Sequence, residues 1–182
     1  MFARTPRLLL RPGWIEDAPA LSRAIGDEAV VRNLARAPWP YALGDAESFL
    51  TMPRSPSVAN FLIFESPTEA PRLVGGIAID PPTAGEAEFG YWLTPDAWGR
   101  GYATEAGRQV IEIARHAIGL RRLHAGHFTD NPASGRVLTK LGFRFTGRIE
   151  PRHSRARGAA APCALFELDL DEGRRCEERL AA

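Results

Sequence analysis

Three apolar runs lie close together in the middle of the chain: Asn60 to Glu65, Leu73 to Asp80 and Glu86 to Leu93. Each has the length of a strand and is bounded by turn formers, Ser66-Pro67 after the first and Pro81-Pro82-Thr83-Ala84-Gly85 after the second. Connections this short join antiparallel neighbours, because a parallel return needs a crossover of roughly a dozen residues or more. The spacing predicts an antiparallel meander. Directly after it, Ala103 to Ile118 reads as a helix, with Ala103, Ala106, Val110, Ala114 and Ala117 on one stripe and Ile111, Ile113 and Ile118 widening it. Glu105, Arg108, Glu112 and Arg115 fall on its other side, and Gly119 closes it. A meander feeding an amphipathic helix must bury one face of the sheet against that helix, which points to an α+β fold with a mostly antiparallel, mixed central sheet flanked by helices.

The rest of the chain extends this pattern. Arg7 to Arg11 reads as a first strand closed by Pro12-Gly13, followed by a helix from about Glu16 to Ile25 and a second short helix over Asp45 to Leu50, stopped at Met52-Pro53. Leu123 to Phe128 is a further strand. Asn131-Pro132 combines a cap residue with proline at the first helical position and opens a helix that runs to Leu141 and stops at Gly142. Phe143 to Ile149 and Cys163 to Leu170 form a last pair of strands, joined in this reading by a long polar loop. With 182 residues, no internal repeat and no low-complexity linker, residues 1–170 are expected to form one domain, with 171–182 as a charged tail.

Composition removes several classes of function. Apolar residues make up 45% and charged residues 25%, a globular balance, and no run approaches the ~18 apolar residues of a membrane span. The start, Met1 to Arg11, lacks the apolar core of a signal peptide, so the expected compartment is the cytoplasm. Cys163 and Cys176 are too few for a disulfide framework, and neither has neighbours at metal-ligand spacing. His124 and His127, three apart on a strand, point to opposite faces, so no metal site is expected. A formal charge of +1 gives no whole-molecule field for nucleic acid or anionic membrane, so any anion must be held locally.

The segment Glu88 to Ala106 is where such a site can form. There a strand passes through Trp98-Gly99-Arg100-Gly101-Tyr102-Ala103-Thr104 straight into the long helix. Glycine permits backbone angles and close approach that a Cβ forbids, and the free amides of a first helical turn, with the helix dipole, suit a phosphate or pyrophosphate. The alternative is that Gly99 and Gly101 merely make a tight turn. A nucleotide-hydrolysing P-loop is missing, and the dinucleotide fingerprint lacks its acid about 20 residues on, where Arg121-Arg122-Leu123 stands.

Four ordered blocks resemble the GNAT N-acetyltransferases, and among them the branch of Rim-type ribosomal-protein N-acetyltransferases. They are Thr5 to Pro12, Phe89-Gly90-Tyr91-Trp92-Leu93, Gly99 to Ala106, and Asp130-Asn131-Pro132-Ala133-Ser134 with Val137 to Phe143. The resemblance implies acetyl-CoA as cosubstrate, with its pyrophosphate on amides from Gly99 to Thr104. The family's Gln/Arg-x-x-Gly-x-Gly/Ala loop falls on Trp98 to Ala103, and Trp98 departs from it at the first position. Pantetheine is then expected beside Tyr91-Trp92-Leu93 as an added strand, with an amide near Trp92 or Leu93 holding the thioester carbonyl and Asn131 meeting the pantetheine arm.

The implied reaction removes a proton from an amine and delivers one to the departing thiolate. Many GNAT members place a tyrosine before the Lys-Leu-Gly-Phe run as proton donor, but that place is Leu138 here. Rim-type members are similar to this chain in carrying Asn-x-x-Ser, which makes Ser134 the candidate donor; the ordinary reading is a serine bonding local backbone. For the base, Glu88 shares a strand face with Glu86 and Gly90, and His127 lies one strand over; a solvated carboxylate and a structural histidine are the respective alternatives. His153 is a third, looser candidate. Arg148, Arg152, Arg155 and Arg157 against Glu150 make the last hairpin basic, and Trp39-Pro40-Tyr41 form either an acceptor wall or core. The acceptor is an amine, a protein N-terminus or a small molecule. A CoA-binding module without turnover is the competing reading.

Overall fold

The computed structural model describes residues 1–53, 59–66, 71–83 and 86–171. Its centre is an eight-stranded sheet in the order β1-β2-β3-β4-β5-β6-β8-β7. The strands are β1 (Ala3–Arg4), β2 (Leu8–Arg11), β3 (Asn60–Glu65), β4 (Arg72–Thr83), β5 (Glu86–Leu93), β6 (Arg122–Phe128), β7 (Arg144–Ser154) and β8 (Ala159–Asp169). All neighbours are antiparallel except β5 and β6. The expected meander is β3-β4-β5. The one parallel step needs a crossover, supplied by α4 (Tyr102–Glu112) and a wider π turn over Ile113–Ile118 that ends at Gly119 with φ +77°.

Alternation along β5 assigns its side chains to two layers. Ala87, Phe89 and Leu93 join the core under α4 and α5 (Pro132–Lys140), with Ala103, Ala106, Val110, Ala114, Leu123, Ala125 and Leu138. Trp92 faces the opposite layer, built by α1 (Ala18–Ile25) and α3 (Leu43–Thr51) around Leu21, Ile25, Ala46, Leu62 and Phe64. The short α2 (Glu28–Val31) follows α1, and Asp27 caps it through the Ala29 amide. Trp39 is exposed, whereas Tyr41 packs against this second layer. Burial and the nearby Asp45 push the Tyr41 hydroxyl up to about 12. Among the described residues no helix is long and apolar enough to cross a membrane. Of the expected tail 171–182, all but Asp171 lies outside the described residues.

The expected long polar loop near the end of the chain is replaced by a hairpin. β7 and β8 pair until Ser154↔Ala159, leaving only Arg155 to Gly158 as the turn. Arg148 and Arg152 therefore stand on β7 and not in a loop, and the basic charge is largely engaged. Arg148 pairs with Glu150, Arg152 with Glu88 and Arg157 with Asp130. The hairpin tip is fastened to the segment after α2. The Ser154 hydroxyl donates to the Leu34 carbonyl at 2.9 Å, the Arg155 amide to Ala35 at 2.9 Å, and the Arg157 Nε to Arg32 at 2.7 Å.

A second set of ties fixes the start of α4. Glu105 accepts from the Thr5 hydroxyl at 2.6 Å and from the Arg7 amide and Nε at 3.0 and 2.7 Å. Arg7 in turn donates to the Arg100 carbonyl at 2.9 Å. The guanidinium groups of Arg7 and Arg100 both lie over the Tyr102 ring, 4.8 and 4.7 Å from its centroid. The Tyr102 hydroxyl donates to Glu65, which also receives Arg72 at 2.9 Å and Arg100 at 2.6 Å. The hydroxyl of Tyr102 and then Arg72 hold the Glu65 carboxyl well below the usual range, at about 2. A depressed folded-state pKa adds stability that is complete above the unfolded value and disappears as pH falls toward the folded one. The melting temperature of the wild type should therefore exceed that of Glu65→Gln at pH 6, with the gap narrowing as pH drops from about 4.5 toward about 2. A gap constant across that window, followed by circular dichroism, would show that Glu65 carries no such linkage.

Candidate active site

Between β5 and α4 the chain makes a short 3-10 turn, Pro95–Ala97, and two left-handed glycines, Gly99 at φ +72° and Gly101 at φ +80°. L side chains are disfavoured at both positions, which explains the glycine spacing. Gly101 is the N-cap of α4, and the first helical bond runs from the Glu105 amide to its carbonyl. The amides of the first turn thus have no partner within the helix. A Cβ placed on Gly99 would meet nothing within 4 Å, so the outer side of the turn is open. Tyr102 and Ala103 turn their side chains into the core, and Thr104 is half-buried. What residues 99–104 can offer a ligand is chiefly backbone. Trp98 spends its indole N–H on the Leu93 carbonyl at 2.9 Å, which fastens the turn to the end of β5.

Beside this turn the sheet opens. β5 and β6 share only the pairs Ala87↔Leu123 and Glu88↔His124. From Phe89 to Leu93, β5 stays in register with β4, while β6 from Ala125 to Phe128 stays with β8. The two strands diverge and leave the β6-facing backbone of Gly90 to Leu93 without a strand partner in the sheet. Gly75 and Gly76 on β4 let this part of β5 sit close: a Cβ on Gly75 would fall 2.3 Å from the Trp92 carbonyl oxygen, and one on Gly76 would fall 2.6 Å from its indole nitrogen.

The far side of the opening is formed by α5. Asn131 caps it, its Oδ1 accepting from the Ser134 amide at 3.3 Å. This brings Ser134 to the opening, where its Oγ lies 2.9 Å from the hydroxyl of Tyr91. Tyr91 was expected only as part of the pantetheine strand, and its hydroxyl is a functional group that sequence reasoning missed. Strand alternation carried the signal, because it puts Tyr91 with Ala87 and Phe89 on the face that α5 covers. Burial pushes the Tyr91 phenol up, opposed by its bond to Ser134. Leu138, in the place of the usual tyrosine, is buried in the core.

The two candidate bases fall on opposite faces. His127 lies on the α5 face, where its Nδ1 donates to the Phe128 carbonyl at 2.9 Å and its ring packs at a tilt against Phe166, centroids 5.5 Å apart. Its Nε2 presses on α5 at Gly135, where a Cβ would come within 2.6 Å. Glu88 lies on the other face beside Asp80 of β4, and Arg152 takes both its oxygens, Oε2 at 2.8 Å. Glu88, expected as a base acting through water or as a solvated carboxylate, is half of a fork-shaped ion pair with Arg152. Asp80 is matched by Arg36 from the segment after α2. His153 is exposed on the outer part of β7, opposite Ala160. Among the described residues no three His, Cys, Asp or Glu side chains gather in a metal-binding arrangement.

The left-handed glycine turn, the parted pair of parallel strands and the capped start of α5 lie next to one another in the sheet order. The profile of the acetyltransferase (GNAT) domain matches residues 7–144. The uncharacterized N-acetyltransferase YoaA of Bacillus subtilis is 44% identical over 61 residues, about a third of each chain (34% of both). The uncharacterized N-acetyltransferase p20 of Bacillus licheniformis is 28% identical over 168 residues, 90% of this chain and 93% of p20. Among solved structures, RimL, described as a ribosomal alpha-N-protein acetyltransferase in complex with coenzyme A, superposes with a TM-score of 0.76 at 18% identity, covering 94% of this chain and 99% of RimL. With most of its length matched by that profile and its strands parted beside a glycine turn, the chain belongs to the GNAT acetyltransferase family.

Proposed function

We propose that this protein transfers an acetyl group from acetyl-CoA to a primary amine, either the α-amine of a protein N-terminus or that of a small molecule, by direct attack with both substrates bound, in the cytoplasm. The observation that carries this reading is the two-pair limit of β5–β6 beside the Gly99–Gly101 turn. Amides from Gly99 to Thr104 take the pyrophosphate, aided by the α4 dipole. The free edge of Tyr91, Trp92 and Leu93 takes the pantetheine arm as a further strand, and Asn131 borders it across the gap. That RimL was solved with coenzyme A supports the choice of cosubstrate.

The bound cosubstrate supplies a thioester activated for attack, and the residues of the chain manage charge and protons around it. A backbone amide near Trp92 or Leu93 donates to the thioester oxygen as negative charge develops, a contribution of about 3 kcal/mol for one such donor in other acyl-transfer sites. Ser134 faces the sulfur side and is the proton donor. Glu88, oriented by Arg152, faces the amine side and accepts the amine's proton through water. An α-amine, with a pKa of about 7.7 to 8.0, is roughly a tenth neutral at pH 7, so a modest base is sufficient. His127, enclosed between Phe166 and α5, supports the Ser134 turn from behind in this reading.

Two outcomes check it. Incubation with acetyl-CoA and a panel of peptides and amines should release free thiol above the solvent blank, and Glu88→Gln should lower kcat/KM for the amine by about 10- to 100-fold. Tight CoA binding without thiol release between pH 6 and 9 would leave the non-catalytic CoA-binding module instead. Gly101→Ala, strained at φ +80°, should raise Kd for CoA about tenfold, because a non-glycine residue in that conformation costs about 1–2 kcal/mol. It should leave KM for S-acetylpantetheine, which has no pyrophosphate, within twofold of wild type. Equal losses for both donors would mean that the turn does not hold the pyrophosphate.

A further inference from the structure

The hydroxyl of Tyr91 and the Oγ of Ser134 meet at 2.9 Å across the mouth of the opening between β5 and α5. We infer that Tyr91 is a positioning residue for proton delivery, acting through Ser134 as the inner member of a tyrosine–serine relay. The inference rests on the reading of Ser134 as donor to the leaving sulfur and extends it to a residue from a different element.

Three observations lead to it. Leu138 is buried in the core and has no proton to give, so the hydroxyls that α5 and β5 bring together at the opening are those of Ser134 and Tyr91. A serine hydroxyl alone is a weak acid, and its transfer to sulfur becomes easier when a second donor stabilises the oxygen left behind. The Ser134 Oγ lies 2.9 Å from the Tyr91 hydroxyl, which also reaches the Ser134 carbonyl at 3.4 Å, and either hydroxyl can donate to the other. The Asn131 cap fixes its backbone through the Ser134 amide, and the phenol reaches Oγ from a ring half-buried against Phe89, with ring centroids 6.1 Å apart. The half-buried phenol keeps its proton at neutral pH, since its ordinary value is already about 10 and burial raises it.

The step balances as follows. The amine nitrogen forms its bond to the acetyl carbon, and the carbon–sulfur bond breaks with its electron pair leaving on sulfur. The Ser134 proton goes to sulfur, and the Tyr91 proton moves to the Ser134 oxygen. Solvent returns a proton to the Tyr91 oxygen before the next turnover, matching the proton that the amine released on the Glu88 side.

The test uses the full chain. Tyr91→Phe keeps the ring and removes only the hydroxyl, and is expected to lower kcat by about 10- to 100-fold with KM for acetyl-CoA within twofold of wild type. Ser134→Ala should show a loss of the same order, and the double variant should be no slower than the slower single one, because the two groups act in series. A Tyr91→Phe enzyme with wild-type kcat, or losses that multiply in the double variant, would overturn the relay while wild-type thiol release left the acetyltransferase reading intact. A second readout needs no turnover. The chain has three tyrosines, and with tyrosine labelled at the ring Cζ carbon, CoA should shift the Tyr91 signal clearly further in wild type than in Ser134→Ala. A Tyr91 signal equally sensitive to CoA with and without the serine hydroxyl, or insensitive in both, would overturn the inference even if no amine in the panel were accepted.

Discussion

The parting of β5 from β6 after two residue pairs is the constraint on which the site depends. Each strand is committed elsewhere: β5 runs in register with β4, and β6 pairs with β8 along its whole length. The parallel contact at Ala87 and Glu88 joins the two halves of the sheet without drawing the rest of the strands together. An open stretch of strand backbone inside a sheet is costly unless water or a ligand satisfies its polar groups. The fold therefore carries a slot suited to an extended, amide-bearing chain, and the crossover helix that makes the parallel step possible also places its N-terminus at the slot's end.

The turn at that N-terminus is held in place by a network of paired charges. Arg7, Arg72 and Arg100 are matched by Glu65, Glu105 and Asp96 around the ring of Tyr102. Individually such surface pairs are worth about 0–1 kcal/mol. Joined through shared carboxylates and a stacked ring, they link β1–β2, the ends of β3 and β4, and the first turn of α4. With these guanidinium groups engaged by carboxylates, what the proposed cosubstrate site can draw on at the turn is the backbone between two left-handed glycines. Trp98 adds a further tie, because its indole holds the end of β5.

Features encoded by local backbone chemistry were legible in the sequence. Gly99 and Gly101 announce positive φ, Asn131-Pro132 announces a helix start, and the alanine stripe announces the buried side of the crossover helix as far as Ala114, whereas Ala117 in the π turn is exposed. The last hairpin was misread because Pro151 and Pro162 argue against strand. In the structure they stand directly opposite one another, and neither can donate. Opposed prolines fit a pair in which the amide positions point away from the partner strand, so the ladder loses no bond. The two-residue β1 and one-turn α2 are too short to show periodicity. Arg152 on Glu88 and Tyr91 on Ser134 depend on long-range packing, which one-dimensional spacing does not carry. His124 and His127 do fall on opposite faces, as strand alternation requires.

Amide chemical shifts during a titration with CoA test most directly whether the glycine turn and the parted strand form one cosubstrate site. The largest changes are expected at Gly99 to Thr104, with a second group at Gly90 to Leu93 and at Ser134. Saturable binding whose largest shifts lie elsewhere, with the amides of 99–104 unmoved, would contradict it.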